Sequence, residues 1–266
     1  MKFTHATISH PGGRKVNEDA SSNLVVSAEQ GCWVVADGLG GHGGGDVASK
    51  IVVDTITGAY RNNQEFSSAQ LGKMLELAQQ TLLQRQQDDN RRSAMRSTAA
   101  VLLLDDAEAW WAYVGDTRLY HFANGRIVHQ TRDHSVPQAM VDAGDIGHND
   151  IRHHEDRNRL TRSLGNDGKV RTTILEQPVE IGEGDAFLIC TDGFWEFVTE
   201  TEMEATLAKS DTPKNWLAQM ECILLRNAPA NHDNYTATAI LVTAATLNAD
   251  KPALASTETS FLEGER

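Results

Sequence analysis

The chain has 266 residues, 40% of them hydrophobic and 23% charged, a composition inside the range of ordinary globular domains, and its formal net charge is −13. That acidity argues against a nucleic-acid partner, because phosphate backbones select basic surfaces, and it suits a protein that concentrates cations. Cys32, Cys190 and Cys222 are scattered singly, so neither a disulfide framework nor a zinc cluster follows, and no apolar run is long enough for a signal peptide or a membrane span; a reducing cytoplasm is the expected compartment.

In chain order, β-type runs are predicted at 3–9, 23–27 and 32–37, the last reading CWVVAD. Two amphipathic helices follow, over 46–60 and 67–87. Further strands are predicted at 98–105, 109–116, 118–125, 170–176, 185–192 and 236–243, with a second helix pair at 201–209 and 213–227. Hairpin-spaced strands separated by paired helices predict an α+β fold with mostly antiparallel sheets, not alternating βαβ units. Residues 136–159 are polar and weakly periodic, and 247–266 are small, polar and aperiodic. One domain over 1–246 and a disordered tail over 247–266 are therefore expected.

The segment VVADGLGGHGGG, beginning at Val34, carries the chemistry. Its GLGGHG matches the GxGxxG expression of dinucleotide sites, but the ribose-binding acid due about twenty residues on would fall inside a helix, so that reading fails. The alternative makes Asp37 the point of the segment, because LICTDGFW delivers Asp192 at the end of another apolar strand. Either aspartate alone reads as a turn residue. RKVNEDA adds Glu18 and Asp19 just before a strand, and NHDNYTATAILV adds Asp233 before the last one. If sheet pairing gathers these ends, the acids repel one another unless cations fill the cleft. All-oxygen ligands favour Mg²⁺ or Mn²⁺. Two such ions sharing Asp37 would sit roughly 3.5–4 Å apart and activate a bridging water near neutral pH.

RKVNED, VVADGLGGHGGG, STAAV, YVGDTRLY, TRDHS, LTRSLG, ICTDGFWE and HDNYTATAILV, in that order from Arg14 to about Val242, resemble the metal-dependent PPM (type 2C) serine/threonine protein phosphatases, specifically their bacterial branch. The resemblance implies a four-layer αββα sandwich of two mostly antiparallel sheets flanked by helix pairs. It implies that Asp37 bridges two Mn²⁺ or Mg²⁺ ions, with the Gly38 carbonyl, Asp192 and Asp233 completing their shells. Glu18 and Asp19 would act through water, with helix or turn capping as the alternative for Glu18. Asp116 matches an acid used for a third ion, and reads equally as a hairpin turn. Arg14 would grip the phosphoryl group in bidentate fashion, and His42 would be either a general acid or an exposed histidine without duty. The other nine of the ten histidines, His153 and His154 among them, read as solvent-facing loop residues. The implied function is hydrolysis of phosphoserine and phosphothreonine on proteins, by a cytoplasmic monomer opposing a separate serine/threonine kinase. Residues 136–159 fall where relatives carry a mobile flap. Type VI secretion is one setting in which such stand-alone forms occur. A catalytically idle phosphoprotein-binding module and a hydrolase of small phosphate esters are the alternatives.

Overall fold

A computed structural model describes residues 1–40, 44–88 and 95–244. His42 and the tail over 247–266 lie outside the described residues. The elements run β1 (Lys2–His10), β2 (Asp19–Ser27), β3 (Gln30–Leu39), α1 (Gly45–Asn62), α2 (Ser68–Asp88), β4 (Arg96–Ser97), β5 (Ala99–Leu104), β6 (Glu108–Val114), β7 (Arg118–Ala123), β8 (Arg126–Gln130) and α3 (Val136–Ala143). After a 3₁₀ turn at His148–His153 come β9 (Thr173–Ile174), β10 (Val179–Glu180), β11 (Ala186–Cys190), α4 (Asp192–Trp195), α5 (Glu200–Leu207), α6 (Pro213–Asn227) and β12 (Tyr235–Thr243).

The strands form two sheets, ordered β1-β12-β11-β7-β8 and β10-β6-β5-β3-β2, with β4 added to β3 and β9 to β6. Every pairing is antiparallel. Alternation along each strand divides the core into three layers. On β3, Trp33 and Val35 face the other sheet, where they meet Phe187, Ile189 and Ile240. Cys32, Val34 and Ala36 face α1 and α2, against Val52, Ile56, Met74 and Leu82. On β11, Leu188 and Cys190 turn outward to Trp216, Met220 and Leu224 of α6. The result is the expected αββα sandwich, and both faces of its central strands are covered, which is why CWVVA and AAVLLL read as unbroken apolar runs.

The chain differs locally from the expectations. Strand β8 was not predicted: it is an edge strand of alternating exposure, closed against β7 by Asn124 and Gly125, both at positive φ, the signature of a tight Asn-Gly hairpin. The run at 170–176 supplies only the two residues of β9. The polar segment 136–159 contains α3, capped by Ser135 through Gln138 N and closed at Gly144 with φ 81°. Its far end is anchored, since Ile151 is buried, Arg152 Nη2 donates to Glu200 at 2.6 Å and Arg157 Nε to Glu196 at 2.7 Å.

Two of the histidines expected in solvent are buried instead. His121, on β7, bonds Asp185 at 3.0 Å and stacks on Phe187. His134 accepts the Gly115 N–H on Nδ1 at 3.1 Å, which leaves Nε2 to donate to Thr173 Oγ1 at 2.9 Å. Burial, helped by Arg162, pushes the His134 pKa down to about 4, so it stays neutral and acts as a strut.

Candidate active site

Register alone gathers the acids. Asp19 opens β2 directly opposite Asp37 near the end of β3. The end of β6 and the start of β5 meet at Val114 and Ala99, beside Val35 and Ala100 of the β3 pairing. In the other sheet Cys190, the last residue of β11, pairs with Arg118 at the start of β7 and Ala237 near the start of β12. Asp37, Asp19, the Asp116 turn, Asp192 and Asp233 therefore all lie at one end of the sandwich.

Each acid is set by backbone neighbours. The Asp37 N–H donates to Thr98 Oγ1 at 2.9 Å, while its carbonyl accepts from Thr98 N at 2.9 Å and Ser97 Oγ at 3.0 Å. Thr98 Oγ1 also meets Thr117 Oγ1 at 2.6 Å, so STAAV and GDTR brace the strand end that presents Asp37. Asp19 Oδ2 accepts from Thr191 Oγ1 at 2.9 Å. Asp116 is only 4% exposed, which a plain hairpin acid would not be, and its carbonyl accepts the Trp195 indole N–H at 2.9 Å. Asp192 occupies the first position of the one-turn helix α4. Asp233 Oδ1 accepts from Asn234 N, and Oδ2 from Arg14 Nη2, both at 2.9 Å.

Glycines make these approaches physically feasible. A Cβ on Gly38 would stand 2.0 Å from the Gly45 carbonyl and 2.6 Å from that of Glu18, so its absence serves the crossing of backbones at the start of α1. A Cβ on Gly45 would in turn stand 2.5 Å from the Gly38 carbonyl. On Gly193 it would meet the Asn234 carbonyl at 2.0 Å. Gly193→Ala is accordingly expected to cost about 1–3 kcal/mol by overpacking and to displace Asp192, which a thermal melt with a parallel activity assay would register.

Asn234 was not singled out from sequence, yet it pins the loop between β1 and β2. Its Oδ1 accepts the Glu18 N–H at 2.8 Å, and its Nδ2 donates to the Pro11 and Val16 carbonyls, both at 2.9 Å. That loop carries Arg14 and Glu18. The Glu18 carboxylate takes the N–H of Gly45, the first residue of α1, whose N-cap Gly44 has no side chain to offer; the capping alternative for Glu18 thus holds alongside its place beside the acids.

A second feature not singled out is the ion pair beneath Asp116. Arg118 meets Asp133 through Nε at 2.8 Å and Nη2 at 2.7 Å, with both side chains 2% exposed, and its guanidinium lies 3.6 Å from the centre of the Trp195 ring. The signal was present in TRLY and TRDHS, two motifs with no assigned role. Arg118→Met leaves Asp133 buried without its partner, and urea denaturation should show a loss of about 3–5 kcal/mol.

The electrostatics are those of crowded like charges. Burial, then Asp192, Asp19, Asp116 and Asp233, raise the Asp37 pKa well above the ordinary carboxylate value. Asp192 is raised for the same reasons, burial first and Asp116 next. Asp19 and Asp116 are each pushed to about 7, chiefly by burial. The Asp37 and Asp192 side chains still reach solvent in part, as the floor of a cleft would. Among the described residues no three His, Cys, Asp or Glu side chains close on a single point. Arg14 holds Asp233, and the acids couple through space without touching. Two observations fit a divalent cation here: the shared excess of negative charge, and Asp19 Oδ1, a buried oxygen with no hydrogen-bond partner.

Known proteins resemble this chain in sequence and in fold. The Serine/threonine phosphatase stp of Listeria monocytogenes is 30% identical over 204 residues, 75% of this chain and 80% of its own length. The solved structure of PppA, described as a key regulatory component of T6SS in Pseudomonas aeruginosa, is 31% identical with a TM-score of 0.72, over 91% of this chain and 98% of that one. The catalytic domain of the serine/threonine protein phosphatase PstP, in complex with two manganese ions, shares the fold at 23% identity with a TM-score of 0.76, over 91% of this chain and 99% of that one. The family model for Protein phosphatase 2C matches residues 8–224, which take in Arg14, Asp37, Asp116 and Asp192, and the chain belongs to that family.

Proposed function

We propose that the chain hydrolyses phosphoserine and phosphothreonine on proteins in a reaction that depends on divalent metal. The observation that carries this reading is the convergence of Asp19, Asp37, Asp116, Asp192 and Asp233 at one end of the sandwich, where burial and mutual repulsion raise the proton affinity of Asp19, Asp37, Asp116 and Asp192. Asp37, the Gly38 carbonyl, Asp192 and Asp233 would hold two ions, Mn²⁺ or Mg²⁺, with Asp116 available to a third. Asp19 and Glu18 would orient the ions' water ligands. When bound, such ions supply Lewis-acid charge for the phosphoryl oxygens and lower the pKa of water.

The chain's own part is to bind and orient. Arg14 is half exposed at the mouth, where it meets Asp233; once an ion takes up that carboxylate, its planar fork would be free to grip a phosphoryl group through two hydrogen bonds. Thr98 and Thr117 fix the backbone that presents Asp37, so the carboxylate meets substrate without reorganising. His42, five residues after Asp37 in the sequence, is the proposed proton donor to the departing seryl or threonyl oxygen.

The likeness to PppA supports type VI secretion as one setting, and a separate serine/threonine kinase would supply the phosphoproteins on which the chain acts. No helix among the described residues is long and apolar enough to cross a membrane. A cytoplasmic monomer is the proposed form. A domain over 1–246 with a disordered tail over 247–266 remains part of the proposal.

The test is hydrolysis of a phosphothreonine peptide with Mn²⁺ and with EDTA. Turnover should vanish on chelation and return with Mn²⁺, and chelator-resistant turnover would refute the reading. Arg14→Ala should lower kcat/KM by about tenfold or more, the usual worth of a charged hydrogen bond to phosphate.

A further inference from the structure

Three hollows that share lining residues run along the surface from the strand end that carries Asp37. The first, about 590 Å³, begins at Leu39 and Gly40, directly after Gly38, and reaches Arg96 and Asn166. It shares Thr161, Ser163 and Asn166 with a second, of about 390 Å³, whose wall adds Arg162, Lys169 and Arg171. Lys169 and Arg171 continue into a third, of about 980 Å³, beside α2, where Lys73 and Glu76 stand.

Arg96, Arg162, Lys169 and Arg171 are exposed along this path. Arg162 touches the neutral His134 at 3.4 Å. None of these cations forms an ion pair with a carboxylate among the described residues, whereas Arg14, Arg118, Arg152 and Arg157, also near the site, are each paired. In a chain with a net charge of −13, a row of unpaired cations stands out, since carboxylates are abundant and the row repels itself. At its Arg96 end the row adjoins the strand end that carries Asp37, through the pairing of Arg96 with Leu39. A negatively charged substrate segment is repelled by the cluster of acids and by the protein's overall charge; along this row it is attracted.

We propose that the track from Arg96 through Arg162 to Lys169 and Arg171 binds anionic side chains flanking the phosphorylated residue, so that the preferred substrates carry their phosphosite in an acidic or multiply phosphorylated segment. This rests on the phosphatase reading above. Guanidinium forks suit both carboxylate and phosphate, so the chemistry recognised is a peptide-borne anion of either kind.

The experiment uses the full chain with Mn²⁺ and three kinds of substrate: p-nitrophenyl phosphate, a phosphothreonine peptide with neutral flanks, and sets of the same peptide carrying glutamate or a second phosphoserine at successive flanking positions on either side. The acidic sets should raise kcat/KM over the neutral peptide by about tenfold, as expected of several exposed charge pairs, and 0.5 M NaCl should erase the gain, with the Debye length below about 5 Å. The double variant Lys169→Glu, Arg171→Glu should remove or invert the preference while leaving p-nitrophenyl phosphate turnover unchanged; both positions are exposed, and Lys169→Ala, Arg171→Ala should show a smaller change of the same sign. Equal rates on neutral and acidic peptides, or a preference that survives charge reversal, would overturn the inference while turnover of p-nitrophenyl phosphate keeps the phosphatase reading intact. If no substrate is turned over with Mn²⁺, the phosphatase reading falls and this inference with it.

Discussion

Asp37→Asn is expected to lower turnover of a phosphothreonine peptide at saturating Mn²⁺ by about 10³-fold, with a circular dichroism spectrum that matches the native one. The substitution is nearly isosteric, and the contacts that place residue 37 are made by its backbone to Ser97 and Thr98, so the strand end stays where it is. What the amide removes is charge, at the acid on which Asp192, Asp19, Asp116 and Asp233 all act. Asp192→Asn should follow the same pattern. Turnover within a few-fold of native in either variant would show that the cluster is scaffold and not the seat of the reaction.

The same variant should make the metal-free protein more stable. Asp19 and Asp116 have native pKa values near 7 against about 3.9 in the unfolded chain, and Asp37 and Asp192 are raised in the same sense. Between those values the native state binds protons that the unfolded state has released, so stability falls as pH rises from about 4 through about 7. This is the reverse of the paired-carboxylate case, in which acid denatures. In EDTA, the melting temperature should therefore climb as pH is lowered from about 7.5 to about 5. At pH 7.5 Asp37→Asn should add about 2–8 °C, corresponding to ~1–2 kcal/mol for a domain of this size. Saturating Mn²⁺ should cancel the advantage, because the native acids then bind a ligand that the variant holds poorly. A melting temperature that is flat across this pH range, or lower in the variant, would contradict the electrostatic account.

The sequence made these acids legible because the strands that carry them are covered on both faces. CWVVAD and LICTD read as unbroken β-type runs that end in an acid, and although either aspartate alone reads as a turn residue, their recurrence, with further acids beside other strands, marks the cluster. The helix pairs were equally clear, with α6 observed at Pro213–Asn227 against a prediction of 213–227. Harder to read was whatever depends on partners distant in the chain. Asn234 looks like a turn residue until Glu18, Pro11 and Val16 arrive around it. Arg118 and Asp133 are ordinary surface types, and only the antiparallel return of β7 and the indole of Trp195 bury them as a pair. His121 and His134 read as loop histidines because local composition says nothing about Asp185 or Thr173 coming to meet them. The obstacle to a Cβ on Gly38 is the Gly45 carbonyl, which sequence spacing alone does not place there.

The most direct test is a crystal structure of the protein grown with Mn²⁺, with diffraction data collected at the manganese absorption edge. The anomalous difference map should show paired peaks within bonding distance of Asp37, one of them also reached by Asp192 and Asp233, with Arg14 released from Asp233. A map without peaks at the cluster, with Asp233 still joined to Arg14 at full Mn²⁺ saturation, would contradict the account.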